Sequence, residues 1–168
     1  MSPTYCESAN RTTGPSAGRG HPLSSWNVSD VVRLVDIRDS PLSVEEAVAA
    51  VSTPAAGGQT VFIGTVRDHD SGKPVARLDY SAHPGALDEL HRVCERVAEA
   101  HHVLALAAVH RVGDLKVGDL AVVVAVSTAH RGDAFGACRA LIDELKAQVP
   151  IWKHQQFTDG TEEWVGTP

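Results

Sequence analysis

LALAAVHRVGDLKVGDLAVVVAVST, residues 104–128, holds two apolar runs, Leu104 to Val112 and Leu120 to Thr128, joined by Gly113-Asp114-Leu115-Lys116-Val117-Gly118-Asp119. Aliphatic and β-branched residues in runs of this length suit strands, and the two glycines give the link the backbone freedom of a hairpin connection. The second run is almost wholly apolar, which marks a strand buried on both faces near the middle of a sheet. Strands joined this closely run antiparallel, so the fold class is predicted as α+β with a largely antiparallel sheet rather than a doubly wound one.

Downstream, Cys138, Leu141, Ile142, Leu145 and Val149 fall on one face of a helix predicted from about Asp133 to Gln148, which Pro150 stops. Ile151 to Val165 is predicted to add one or two short strands. Upstream, Pro84 opens a helix in which Leu87, Leu90, Cys94 and Val97 recur at helical spacing. Thr60 to Val66 and Val75 to Ser81 read as the partners of a second hairpin across the polar turn Asp68 to Pro74. Ser43 and Glu46 have capping-box spacing ahead of Val44, Ala47, Val48 and Val51, a short helix that Pro54 and Gly57-Gly58 end. Val31 to Ile37 reads as the first strand. About three helices and one domain over residues 31–168 result. Residues 1–30, rich in Ser, Thr, Gly, Pro and Asn, cannot bury enough surface to offset the entropy of ordering and are predicted to be a disordered tail.

A chain of 168 residues with 43% hydrophobic content supports one substantial core and not two. Its net charge of -6 argues against a nucleic-acid or membrane-surface binder, so any anion site has to be local. Cys6, Cys94 and Cys138 form an odd set without C-x-x-C spacing, which points away from a disulfide framework and towards a reducing, cytoplasmic setting. No signal-peptide core and no run of ~18 apolar residues is present.

The chemistry is expected near Lys146 and Lys153, which bracket the apolar break Val149-Pro150-Ile151-Trp152. Only four lysines stand against eleven arginines, so two amines this close are unlike solubility decoration. An amine desolvated among other cations releases its proton more readily than one in water, as proton transfer or nucleophilic attack requires. Two predicted strands also end in cations, at Arg67 and at His130-Arg131, the second pair just ahead of a helix N-terminus. Guanidinium forks held at a sheet's lip grip phosphate or carboxylate bidentately. A lone arginine at a strand end is more often simple surface; the combination with the two lysines reverses those odds. The histidines show no H-x-x-x-H or H-E-x-x-H pattern, Cys138 sits among core residues without an evident base, and no dinucleotide or P-loop glycine motif occurs. Neither a metal nor a cofactor is predicted.

The segments VFIGTVRD (61–68), LDYSAHP (78–84), HRVGDLKVGD (110–119), STAHR (127–131) and LKAQVPIWK (145–153), in this order, resemble the large, catalytic subunit of molybdopterin synthase over about residues 31 to 165. The resemblance implies an α/β hammerhead-type fold that dimerises, and a sulfurtransferase activity. Such a subunit converts cyclic pyranopterin monophosphate, or precursor Z, into molybdopterin by installing two dithiolene sulfurs. It also implies a partner: a small ubiquitin-like sulfur carrier with a C-terminal Gly-Gly thiocarboxylate, two copies of each subunit forming a heterotetramer. Carried over by position, Arg67, His130 and Arg131 would hold the phosphate and pterin. Lys146 would lie nearest the thiocarboxylate, and Lys153 would bind substrate and move protons. Where many relatives follow the second lysine with a basic residue and then Glu, this chain has Lys153-His154-Gln155. The lost carboxylate makes His154 a candidate substrate contact and titratable group. A competing reading is a non-catalytic module binding a ubiquitin-like tail and an anion; a nucleic-acid binder is disfavoured by charge and by the lack of aromatics around Arg67 and Arg131.

Overall fold

A computed structural model describes residues 28–166; the predicted disorder of residues 1–27 falls outside these described residues. In chain order the elements are α1 (Val28–Val31), β1 (Val32–Arg38), α2 (Val44–Val51), β2 (Gly58–Thr65), β3 (His69–Asp70), β4 (Lys73–Ala82), α3 (Ala86–Ala100), β5 (Ala105–Arg111), β6 (Gly113–Leu115), β7 (Leu120–Thr128), α4 (Arg131–Gln148), β8 (Ile151–Phe157) and β9 (Glu162–Val165). Two sheets form, one ordered β1-β5-β7-β2 and the other β3-β4-β8-β9, with β6 also pairing with β4.

The predicted β5–β7 pairing is present and antiparallel, Ala105 opposite Ser127 through His110 opposite Val122. β7 lies between β5 and β2 and is buried along nearly its whole length because both sheet faces are covered. Leu106, Ala108, Val122, Val124 and Val126 pack under α3 and α4. The alternate residues Ala105, Ala107, Val109, Val123 and Ala125 pack under α2. Burying each larger aliphatic side chain stabilises by about 1.5–3 kcal/mol, and the alanines let α2 approach closely. A third cluster, Val66, Leu78, Leu115 and Ala121, joins the second sheet to the first.

Three expectations change. Thr60–Val66 and Val75–Ser81 do not pair: β2 runs antiparallel to β7, Val61 opposite Ala125, while β4 pairs with β8, Tyr80 opposite Lys153. The cause lies after Thr65. The Val66 N–H donates to Asp119 O, and the Gly118 N–H donates to Val66 O, so the chain leaving β2 is drawn to the β6–β7 link. The turn then closes only the two-residue pairing β3–β4 through Ser71 and Gly72, both left-handed at φ 52° and 79°. Second, β1 is parallel to β5, the one departure from antiparallel pairing among the described residues. Third, order begins before residue 31, since α1 packs Val28 and Val31 against the core.

The helices follow their sequence signals closely. The Glu46 N–H donates to Ser43 Oγ at 3.2 Å, capping α2, but the Glu46 carboxylate accepts from Arg38 instead of closing the box. α3 buries Leu90, Val93, Cys94 and Val97 as its periodicity implies and leaves Leu87 38% exposed. No helix among the described residues is long and apolar enough to cross a membrane.

Candidate functional site

Pro150 ends α4, and β8 turns back along β4, so the last helical turn and the start of β8 face the end of β2. This brings Arg67, Lys146 and Lys153 to one polar cavity of about 160 Å³, walled also by Asp70, Tyr80 and Gln155. Lys146 sits in the last turn of α4, where an ammonium faces the negative end of the helix dipole. It is exposed in the chain alone, less desolvated than expected, and its side chain still lines the cavity. Lys153 is more enclosed, its side chain 20% exposed. Both lysines and Tyr80 also line a second, more apolar cavity of about 290 Å³ with His110, Leu145, Val149 and Ile151. The amines thus stand between a polar and an apolar space.

Asp70 organises the polar side. Its Oδ2 accepts from Lys153 Nζ at 2.6 Å and its Oδ1 accepts from Arg67 Nη2 at 3.1 Å. Hydrogen bonds from Lys153 and then Gln155 hold the Asp70 carboxyl below its ordinary range. Tyr80 is pushed up by burial, with the Asp70 charge adding. On the apolar side, His110 continues the Leu106–Ala108 row of β5 under α4 and meets Tyr80 edge to face at 5.0 Å. Its Nδ1 lies 2.8 Å from Arg111 O; a carbonyl only accepts, so Nδ1 carries the hydrogen. Burial pushes its pKa down to about 4, the Lys146 charge adding to the effect.

Three expected contacts are not at this cavity. His154 alternates to the opposite face of β8 from Lys153 and Gln155, where it stacks on Trp164 at 4.3 Å and faces Glu162 at 3.1 Å. The titratable group expected there is replaced by Gln155, 1% exposed, whose amide donates to Glu163 Oε2 at 2.6 Å. His130 and Arg131 lie at the other end of the molecule: they begin α4, and Lys146 ends it, about 22 Å along the helix axis at ~1.5 Å per residue. That end is built tightly. A side chain at Gly57 would meet Ala129 O at 2.3 Å, and one at Gly58 would meet Arg131 Cα at 2.9 Å.

Asp70, Tyr80 and His110 were not singled out from sequence, and Gln155 was noted only as a lost carboxylate. His110 had a visible signal, a polar residue in an apolar row; Asp70 had none, because its role depends on the β3–β4 pairing. Among the described residues no group of three or more potential metal ligands gathers. Cys94 and Cys138 are buried thiols pushed up by burial, Cys94 to about 12, as expected of core residues and not of nucleophiles.

Residues 37–148 match the family described as MoaE protein. The molybdopterin synthase catalytic subunit 1 of Mycobacterium tuberculosis is 44% identical over 131 residues, covering 77% of this chain and 88% of that one. The molybdopterin synthase catalytic subunit of Pyrococcus abyssi is 38% identical over 124 residues, covering 73% and 83%. The crystal structure of molybdopterin synthase from Staphylococcus aureus superposes with a TM-score of 0.73 at 32% identity, over 79% of this chain and 97% of that one.

Proposed function

The chain belongs to the MoaE protein family, and from that premise we propose that it is the catalytic subunit of a molybdopterin synthase. It takes sulfur from the C-terminal thiocarboxylate of a small ubiquitin-like carrier and delivers it to cyclic pyranopterin monophosphate, forming the molybdopterin dithiolene. The observation that carries this reading is the convergence on one cavity of Lys146 and Lys153, from the end of α4 and the start of β8, with Arg67, which is distant from both in sequence. A module that only bound a tail and an anion needs no second amine fixed by a carboxylate at 2.6 Å.

The roles follow from position. Arg67 offers a planar fork for phosphate. Lys153, held by Asp70, is a fixed donor beside the reacting oxygens. Lys146, at the end of α4 and open to both cavities, is the amine that meets the carrier's terminal carbonyl. Each transfer exchanges one carrier sulfur for one oxygen, so the carrier departs as a carboxylate. Lys146 assists by donating a proton to the departing oxygen or by adding to the acyl carbon before water does.

His130 and Arg131 cannot serve this cavity from the same chain, and a second copy supplies them. β2 is an edge strand whose Phe62 and Ile63 are 36% and 42% exposed. Antiparallel pairing of two β2 edges about Val61–Phe62 would set Gly58, on which Arg131 packs, opposite Thr65 of the second copy, next to its Arg67. The experiment is to mix the chain with thiocarboxylated carrier and the pterin precursor and look for dithiolene. A complex that forms and yields no product would return the reading to a binding module.

A further inference from the structure

Arg67, in the link between β2 and β3, and Lys153, in β8, both reach the polar cavity, and both already hold an anion. Asp70 divides its carboxylate between them, Oδ1 with Arg67 Nη2 at 3.1 Å and Oδ2 with Lys153 Nζ at 2.6 Å. A guanidinium and an ammonium sharing two oxygens of one group is the grip that such cations use on phosphate. Gln155 lines the same cavity, and its amide helps to hold the Asp70 carboxyl below its ordinary range. Gln155 is held in turn by Glu163, so position 155 lies between two carboxylates. A neutral donor satisfies both, whereas a glutamate there would set a third negative charge between them. The neutral Gln155 and the Asp70 carboxylate are therefore one arrangement.

We propose that Asp70 is a positioning residue acting as an internal stand-in for substrate: it holds Arg67 and Lys153 in the orientation that phosphate requires, and the substrate's phosphate displaces it from them on binding. The inference rests on the reading of this cavity as the site of a phosphate-bearing substrate. The carboxylate is placed by the β3–β4 pairing, Asp70 opposite Lys73 across the left-handed Ser71-Gly72 turn, so its position is set by backbone and not by a long side chain. Holding both cations costs affinity, because the incoming anion has to compete with one already seated. It secures orientation, because two flexible cationic side chains stay aimed at the cavity before substrate arrives. Exchange of one anion for another also spares the site an uncompensated pair of positive charges in the empty state.

Asp70→Asn keeps the shape and removes the charge. Inorganic phosphate, titrated against the intact chain and this variant by calorimetry, is expected to bind the variant about five- to tenfold more tightly, as removal of one nearby like charge requires. Asp70→Ala is expected to tighten phosphate similarly, which separates loss of charge from gain of an amide. In the sulfur-transfer assay Asp70→Asn is expected to lower KM for the pterin precursor and to lower kcat about tenfold, since Lys153 loses its anchor. A residue that merely stabilised the fold would not move KM downwards while kcat falls. Phosphate binding that is unchanged or weaker in both variants overturns the proposal. Tighter phosphate binding by the variants, alongside an intact chain that makes no dithiolene, keeps the role of Asp70 and removes the sulfur-transfer reading instead.

Discussion

Lys146 and Lys153 drew notice from sequence because lysine is scarce in this chain and the two flank a helix break. Asp70 drew none, since it lay in a polar turn, and Gln155 was noted only for the carboxylate it lacks; their role appears only when β3, β4 and β8 meet. His154 misled for the same reason, because one step along a strand reverses the face a side chain presents. His110 carries a pH prediction. Its pKa falls from an ordinary 6.5 to about 4 in the folded chain, so the unfolded chain binds more protons between those values. Stability is then full above about 6.5 and is lost as pH falls through 4, by roughly 3 kcal/mol at most. In His110→Phe this component is absent, and urea unfolding at pH 7 and pH 4.5 should differ less than in the intact chain; equal differences would contradict it. In the core, Leu141→Ala is expected to cost about 2–5 kcal/mol by the same measurement, because α4 buries that side chain fully against the sheet.

Helices were the most legible elements, since a 3.6-residue stripe and a cap are local signals: Ser43 before α2 and Pro150 after α4 act where the sequence places them. Strand partners were legible only where a short link imposed them, as between β5 and β7. β2 and β4 are also joined by a short link, yet they part, because Val66 is taken up by backbone groups at Gly118 and Asp119, far along the chain. Parallel pairing of β1 with β5 spans α2, β2 and the second sheet's first strands, a separation no local pattern reports. Ser43→Ala is expected to cost about 1 kcal/mol through the lost cap on Glu46 N–H, read as a shift in thermal midpoint. Removal of residues 1–27 is expected to leave sulfur transfer within about twofold, whereas removal through Val31 takes away α1 and its packing on the core and lowers the midpoint.

At the scale of the molecule, the α+β class, the central position of β7 and the gathering of Arg67 with both lysines were readable from sequence; the separation of His130 and Arg131 was not, because it depends on which end of α4 meets the cavity. A site shared between two copies makes a sharp prediction. Lys146→Ala and Arg131→Ala chains are each expected to be impaired, and refolding them together at equal amounts should restore up to about a quarter of intact activity. Half of the dimers are then mixed, and each mixed dimer has one complete site. No restoration would place both residues in the same chain's site or Arg131 outside it. The most direct measurement is a single-turnover reconstitution with precursor Z and thiocarboxylated carrier, comparing the intact chain with Lys146→Ala. Sulfur transfer through Lys146 requires dithiolene from the intact chain and a fall of at least about a hundredfold in the variant, ~2.7 kcal/mol of transition-state stabilisation; equal rates in the two would contradict it.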